Sequence, residues 1–262
     1  MINQTIPLTD NYEATLTTYV LDQVLDETRK LPAVVIFPGG GYGMVSPREG
    51  EPIACAFMNA SYHAFVVKYR VSPHGYPAPV LDGLKALEII VEHADEWHID
   101  LSRIFFIGSS AGGHLAALMA LYHTNPTFLS DLPQPLIKPK GLILNYPVIT
   151  SGEYAHQGSF HNLLVHHPEL RDKFSLEKHI HPDFPPTFVW HTVEDELVPI
   201  ENTLLLLNAL RKNNVIFEAH LYSYGPHGLS LANESVSNSK SYIVPHVQGW
   251  IDLCIEWTKE LK

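Results

Sequence analysis

The sequence predicts an α/β fold, a mostly parallel sheet covered by helices on both faces, and three observations carry that prediction. Short runs rich in apolar β-formers recur along the chain, and stretches with helical spacing lie between them. Several of the runs are apolar without alternation, as strands buried on both sides must be. With 262 residues and 45% hydrophobic content the chain can bury a core of its own. No repeat or low-complexity linker marks a boundary, so one domain over residues 1–262 is expected.

Taken in chain order, Glu13 to Val20 alternates polar and apolar residues and predicts an antiparallel edge strand. The further strands are predicted over Ala33 to Phe37, Ala64 to Lys68, Ile104 to Ile107, Gly141 to Asn145, Thr187 to His191 and Phe217 to Tyr222. A helix precedes the third of these, with Val80, Leu84, Leu87, Val91 and Ala94 on one face and Asp82, Lys85, Glu88, Glu92 and Asp95 on the other. A small-residue helix carrying Leu115, Ala116 and Leu118 follows it. A further helix follows Pro199, whose fixed φ suits a first helical turn. A last helix from about Pro245 places Val247, Trp250, Ile251, Cys254 and Leu261 on one side. The stretch from Pro147 to Pro186, rich in His and Pro and without periodicity, is expected to be an insertion over the site.

Composition narrows the function. A net charge of −11 with no basic run leaves little to neutralise phosphates, so nucleic acid and anionic membrane are poor partners. No apolar stretch reaches the ~18 residues of a membrane span, and Met1 to Asp10 lacks the apolar core of a leader, so a cytoplasmic protein is expected. Cys55 and Cys254 form no C-x-x-C pair; neither a disulfide nor zinc is expected, and both thiols should be buried.

The sharpest chemical signal is Gly108-Ser109-Ser110-Ala111-Gly112-Gly113, between a predicted strand and a predicted helix. A serine at such a turn sits in a strained backbone conformation and needs small residues two positions either side, which Gly108 and Gly112 supply. The following helix aims its free N–H groups at the point where an oxyanion would form. A second loop, Pro38-Gly39-Gly40-Gly41-Tyr42, offers backbone donors unobstructed by Cβ atoms. Gly40, Gly41 and Ala111 are therefore assigned to an oxyanion hole.

An acid and a base must come from later loops, in that order. Glu194, Asp195 and Glu196 follow the strand ending at His191; Asp195 is preferred as the shorter group suited to hold an imidazole, with Glu194 its rival. His227, in a Gly and Pro turn after the last strand, is the expected base, with His191 and His220, which read as strand residues, as its rivals. The insertion holds His156, His161, His166, His167, His179 and His181, but none stands in an H-E-x-x-H frame or at ligand spacing, and no metal is expected.

With these residues in place, the chain resembles the hormone-sensitive-lipase and acetyl-xylan-esterase-like branch of the α/β-hydrolases over nearly its whole length. The likeness rests on Pro38-Gly39-Gly40-Gly41-Tyr42, on Tyr76-Pro77-Ala78-Pro79 before Asp82, on Ile99 to Ile104 leading into Ser110, on Pro186-Thr187-Phe188 leading to Asp195, and on His227-Gly228. Lipase-type relatives usually carry His where this chain has Pro38, a departure that bears on acyl preference more than on catalysis. The resemblance implies a serine carboxylesterase acting on short-chain acyl esters, often acetylated sugars, with no cofactor. The alternatives are an amidase or peptidase on the same residues, arylformamidase-like, or a non-catalytic binding protein of this fold.

Overall fold

Strands form where the apolar runs lie. The computed structural model describes residues 1–22 and 28–261. Its strands are β1 (Thr5–Pro7), β2 (Thr15–Tyr19), β3 (Leu31–Phe37), β4 (His63–Lys68), β5 (Ile99–Ser109), β6 (Gly141–Asn145), β7 (Thr187–Thr192) and β8 (Phe217–Tyr222). They make one sheet in the order β1-β2-β4-β3-β5-β6-β7-β8, antiparallel at β1-β2-β4 and parallel throughout the rest.

Two expectations change here. The strand near Glu13 to Val20 is antiparallel as read, but β1 pairs with it through Thr5 and Thr17, so β2 lies inside the sheet and β1 is the edge. Three residues are too few to show alternation in a sequence. The strand expected over Ile104 to Ile107 begins earlier, at Ile99, because a register shift opposite Leu31 to Ala33 carries the polar stretch Asp100 to Arg103 through the ladder.

The helices are α1 (Glu51–Asn59), α2 (Ala78–Glu92), α3 (Ala111–Thr124), α4 (Gln157–Leu163), α5 (Glu201–Lys212), α6 (Pro245–Gln248) and α7 (Trp250–Glu260). Alternation along the central strands feeds two cores. Ala33, Val35, Phe106, Leu142 and Val189 pack on one face with Leu87 of α2, Leu115 of α3 and Leu206 of α5. Val34, Ile36, Phe105, Ile143 and Trp190 pack on the other with Phe57 of α1 and Trp250 and Trp257 of α7. The C-terminal helix is two pieces, since Gly249 at ψ −7° interrupts it. Cys254 is buried as expected, but Cys55 is exposed on α1, whose inner positions are Ile53, Ala54 and Phe57.

Asp82 also departs from the reading of α2 as a helix with one wet side. It is 2% exposed, and its carboxylate accepts from the Arg70 guanidinium at 2.7 and 3.0 Å and from the Arg70 backbone N–H at 2.7 Å. The pair ties α2 to the chain leaving β4. Replacing Asp82 by Ala strands Arg70, and because that side chain keeps some solvent we expect a loss of about 2 to 3 kcal/mol, read from urea unfolding midpoints.

Candidate active site

The functional loops leave the C-terminal ends of parallel strands, the edge where open α/β sheets place their ligands. β5 ends at Ser109 and α3 begins at Ala111, so Ser110 alone turns the chain, at φ 52° and ψ −122°. That left-handed conformation strains a residue with a Cβ and is held from outside. The Ser110 N–H donates to the Asn145 carbonyl at 2.9 Å, and the Ser110 carbonyl accepts from Val148 at 3.0 Å. Gly112 fits because any Cβ there would collide with the carbonyls of Phe37 and Pro38 at the end of β3, while a Cβ on Gly108 would strike Gly112 itself.

The structure brings Ser110, His227 and Asp195 into one line. The Ser110 hydroxyl lies 2.7 Å from His227 Nε2, and His227 Nδ1 lies 2.6 Å from Asp195 Oδ2. Asp195 Oδ1 accepts from the backbone N–H groups of Leu197 and Val198 at 3.0 and 2.9 Å. Burial alone would raise the Asp195 carboxyl, but hydrogen bonds from His191 and His227 and the His227 charge outweigh it and hold the group well below the usual carboxylate range. Glu194 also lines the cleft but bonds Gly225 rather than His227, accepting from its N–H at 3.3 Å. His220 stays on β8 beside Glu218, as its strand position implied.

The glycine loop lies alongside. Gly40 (φ 126°) and Gly41 (φ 63°) adopt backbone conformations that suit glycine, and their N–H groups make no hydrogen bond among the described residues. Ala111, first residue of α3, has no earlier carbonyl in its own helix to bond. Gly40 and Gly41 line the same cleft as Ser110, and Ala111 follows Ser110 directly at the start of α3. The loop is fixed from several sides: Asn162 of α4 donates to the Gly41 carbonyl at 2.9 Å, Tyr69 donates to Pro38 at 2.6 Å, and Tyr42 lies 2.9 Å from His114 Nδ1. His114 Nε2 in turn bonds the Phe174 carbonyl at 3.0 Å, and burial pushes this imidazole down to about 4, so at neutral pH it is an uncharged bridge.

Several residues of the site gave no signal in the sequence. Glu49, 3% exposed, accepts from Gly39 N–H at 2.8 Å and from the Tyr146 hydroxyl at 2.7 Å. The Tyr146 ring stands edge-on to His227, with centroids 5.0 Å apart, and its hydroxyl accepts from Ser230 N–H. Arg48 donates to the Gly228 carbonyl and lies over the Tyr242 ring. A carboxylate ten residues after the first glycine of a run follows no spacing rule, which is why Glu49 is visible only in three dimensions.

The segment between β6 and β7, expected to be an insertion, is anchored where it leaves the sheet. Asn202 of α5, fully buried, accepts from Ile149 and Thr150 N–H and donates to the carbonyls of Tyr154 and Pro199. Of its histidines only His156 reaches the cleft, a cavity of ≈ 1160 Å³ over Ser110 that Met44, Leu197 and Tyr242 also line. Burial and the neighbouring His227 both lower the His156 pKa. His166, His167 and His181 bond Pro73, Glu169 and Thr124 respectively, and among the described residues no group of three or more His, Cys, Asp or Glu side chains is arranged to hold a metal ion. No helix among the described residues is long and apolar enough to cross a membrane.

Comparison with known proteins gives a family match and close structural relatives. The family BD-FAE matches residues 21–210. An endo-1,4-β-xylanase B of Butyrivibrio fibrisolvens is 37% identical over 78% of this chain and 33% of its own length. An acetylxylan esterase of Xylanibacter ruminicola is 30% identical over 86% of this chain and 45% of its own. The chain therefore spans less than half the length of these two relatives. The crystal structure of an acetyl ester-xyloside bifunctional hydrolase from Caldicellulosiruptor lactoaceticus superposes with a TM-score of 0.83 at 34% identity, covering 98% of this chain and 95% of that one.

The Asp195 environment sets a pH dependence of stability. Its folded pKa lies below the unfolded value of about 3.9, so the stabilising charge interactions are complete above roughly pH 5 and are lost as pH falls through the carboxylate range. Asp195→Asn has no such proton to gain. The stability difference between wild type and Asp195→Asn should therefore shrink as unfolding is followed from about pH 5 to 2.5; a constant difference would contradict the shift.

Proposed function

The chain belongs to the BD-FAE family of α/β-hydrolases, and we propose that it is a serine carboxylesterase acting on short-chain acyl esters, acetylated sugars among them. The observation that carries this reading is the line from Ser110 through His227 to Asp195, with contacts of 2.7 and 2.6 Å, opening into a cleft. In the proposed reaction His227 Nε2 takes the hydroxyl proton as Ser110 Oγ attacks the ester carbonyl, while Asp195 holds Nδ1 and balances the imidazolium. The N–H groups of Gly40, Gly41 and Ala111 receive the charge that develops on the carbonyl oxygen. The alcohol leaves with the proton from His227, and water, activated by the same imidazole, releases the acid from Ser110.

Acetylated sugar as substrate is supported by the names of two relatives, an acetylxylan esterase and an acetyl ester-xyloside hydrolase. A cleft of this size has room for a sugar-sized alcohol beyond the acyl group. Its rim joins the apolar Met44 and Leu197 to the polar Asn162 and Ser241, a mixture suited to a ring bearing hydroxyls. A cytoplasmic setting is supported by two free thiols, of which Cys55 is exposed.

The reading is tested with p-nitrophenyl acetate, butyrate and octanoate, p-nitroacetanilide and an acetylated xylose. Wild type should favour the short esters over octanoate and the anilide, and Ser110→Ala should lose about 10³-fold or more in kcat. Retained activity in Ser110→Ala removes the nucleophile assignment, and a preference for the anilide makes the protein an amidase.

A further inference from the structure

We propose that His191 is a positioning residue for this reaction: a second histidine on Asp195 that fixes the carboxylate so that one lone pair of Oδ2 is directed at His227. The proposal rests on the serine-esterase reading above. The residue is fully buried on β7, four positions before Asp195. Its Nε2 lies 3.1 Å from Asp195 Oδ2 and 3.0 Å from the Val198 carbonyl, and its Nδ1 lies 2.8 Å from the Thr203 hydroxyl.

Those partners determine which nitrogen carries hydrogen. A carbonyl only accepts, so Nε2 carries hydrogen, and in the neutral ring Nδ1 then accepts from the Thr203 hydroxyl. The ring can then donate to Asp195 and cannot compete with His227 as an acceptor of protons from Ser110. Core filling would be satisfied by Val198 and Thr203 alone; the third contact goes to the same oxygen that His227 uses.

The consequence is geometric. Oδ1 is held by two backbone N–H groups, and Oδ2 is shared by the two imidazoles at 2.6 and 3.1 Å. A carboxylate oxygen has two in-plane lone-pair directions. With His191 on one, the other is left for His227, and rotation of the carboxylate about its Cβ–Cγ bond would break contacts at both oxygens. Thr203, buried on α5, extends the chain of support from Ser110 to a helix on the sheet's face.

The test uses three variants of the full chain. His191→Phe keeps the ring's bulk without its nitrogens, His191→Gln places an amide nitrogen where Nε2 lies, and Thr203→Val removes the donor to Nδ1. On p-nitrophenyl acetate, His191→Phe should lower kcat about 10-fold or more with KM within about two-fold of wild type, because proton transfer and not binding is disturbed. His191→Gln should recover most of that loss, and Thr203→Val should lower kcat several-fold at unchanged KM. The downfield proton NMR resonance of the His227 Nδ1–H should move in His191→Phe and return toward its wild-type position in His191→Gln.

A folded His191→Phe with wild-type kcat, a Gln variant no better than Phe, or an unmoved resonance would overturn the proposal. If His191→Phe does not fold, Thr203→Val decides, and wild-type kcat there would refute the role. An inactive wild type would instead overturn the esterase reading, and the resonance, which needs no turnover, would still decide the place of His191.

Discussion

The backbone of Ser110 is the constraint on which the site depends. A residue with a Cβ is held at φ 52° between a buried strand and a buried helix, and it stays there because its N–H and carbonyl are both bonded to the chain around Asn145 and Val148. Relaxing that turn would move α3, and α3 cannot move alone. Gly112 rests directly on the carbonyls of Phe37 and Pro38, so the helix N-terminus and the glycine loop share a single interface. The proposed nucleophile and oxyanion donors are thus set relative to each other by contact between backbones, which no side-chain rotation can loosen.

Around that turn the supports are buried polar groups, each with its partners satisfied. Asn145 donates to Ser109 at 3.0 Å and accepts from Trp190 at 2.7 Å, tying β5 to β7 beneath the site. His114 ties the glycine loop to the insertion, Asn202 ties the insertion to α5, and Glu49 ties the glycine loop to Tyr146 under His227. Breaking one contact of such a network leaves a buried group unpaired, which costs more than the bond itself contributes. The arrangement gives each proposed reacting group a further layer of contacts that fixes its orientation.

Asp195 shows how these supports serve chemistry. A buried carboxylate is unfavourable unless its charge is shared, and here two backbone N–H groups and two imidazoles share it. In the proposed reaction the group remains charged when His227 becomes an imidazolium. The same burial that penalises the charge also strengthens its attraction for His227, because little water is present to screen it.

The sequence by itself determined the parallel strands, the helices that flank them, the Ser110 turn and the order of Ser110, Asp195 and His227. Apolar runs, helical periodicity and glycine placement are local properties, and the strand-turn-helix context of Ser110 is written in consecutive residues. Tertiary structure alone decided that β1 is the edge, that Asp82 is buried against Arg70, and that Glu49, Tyr146, Asn162 and His191 belong to the site. Each of these depends on a partner in another element, and periodicity carries no information about what a side chain meets across the fold. His191 makes the point most sharply: in sequence it is one of 16 histidines at the end of an apolar run, and only the loop returning through Asp195 and Val198 gives its nitrogen two acceptors.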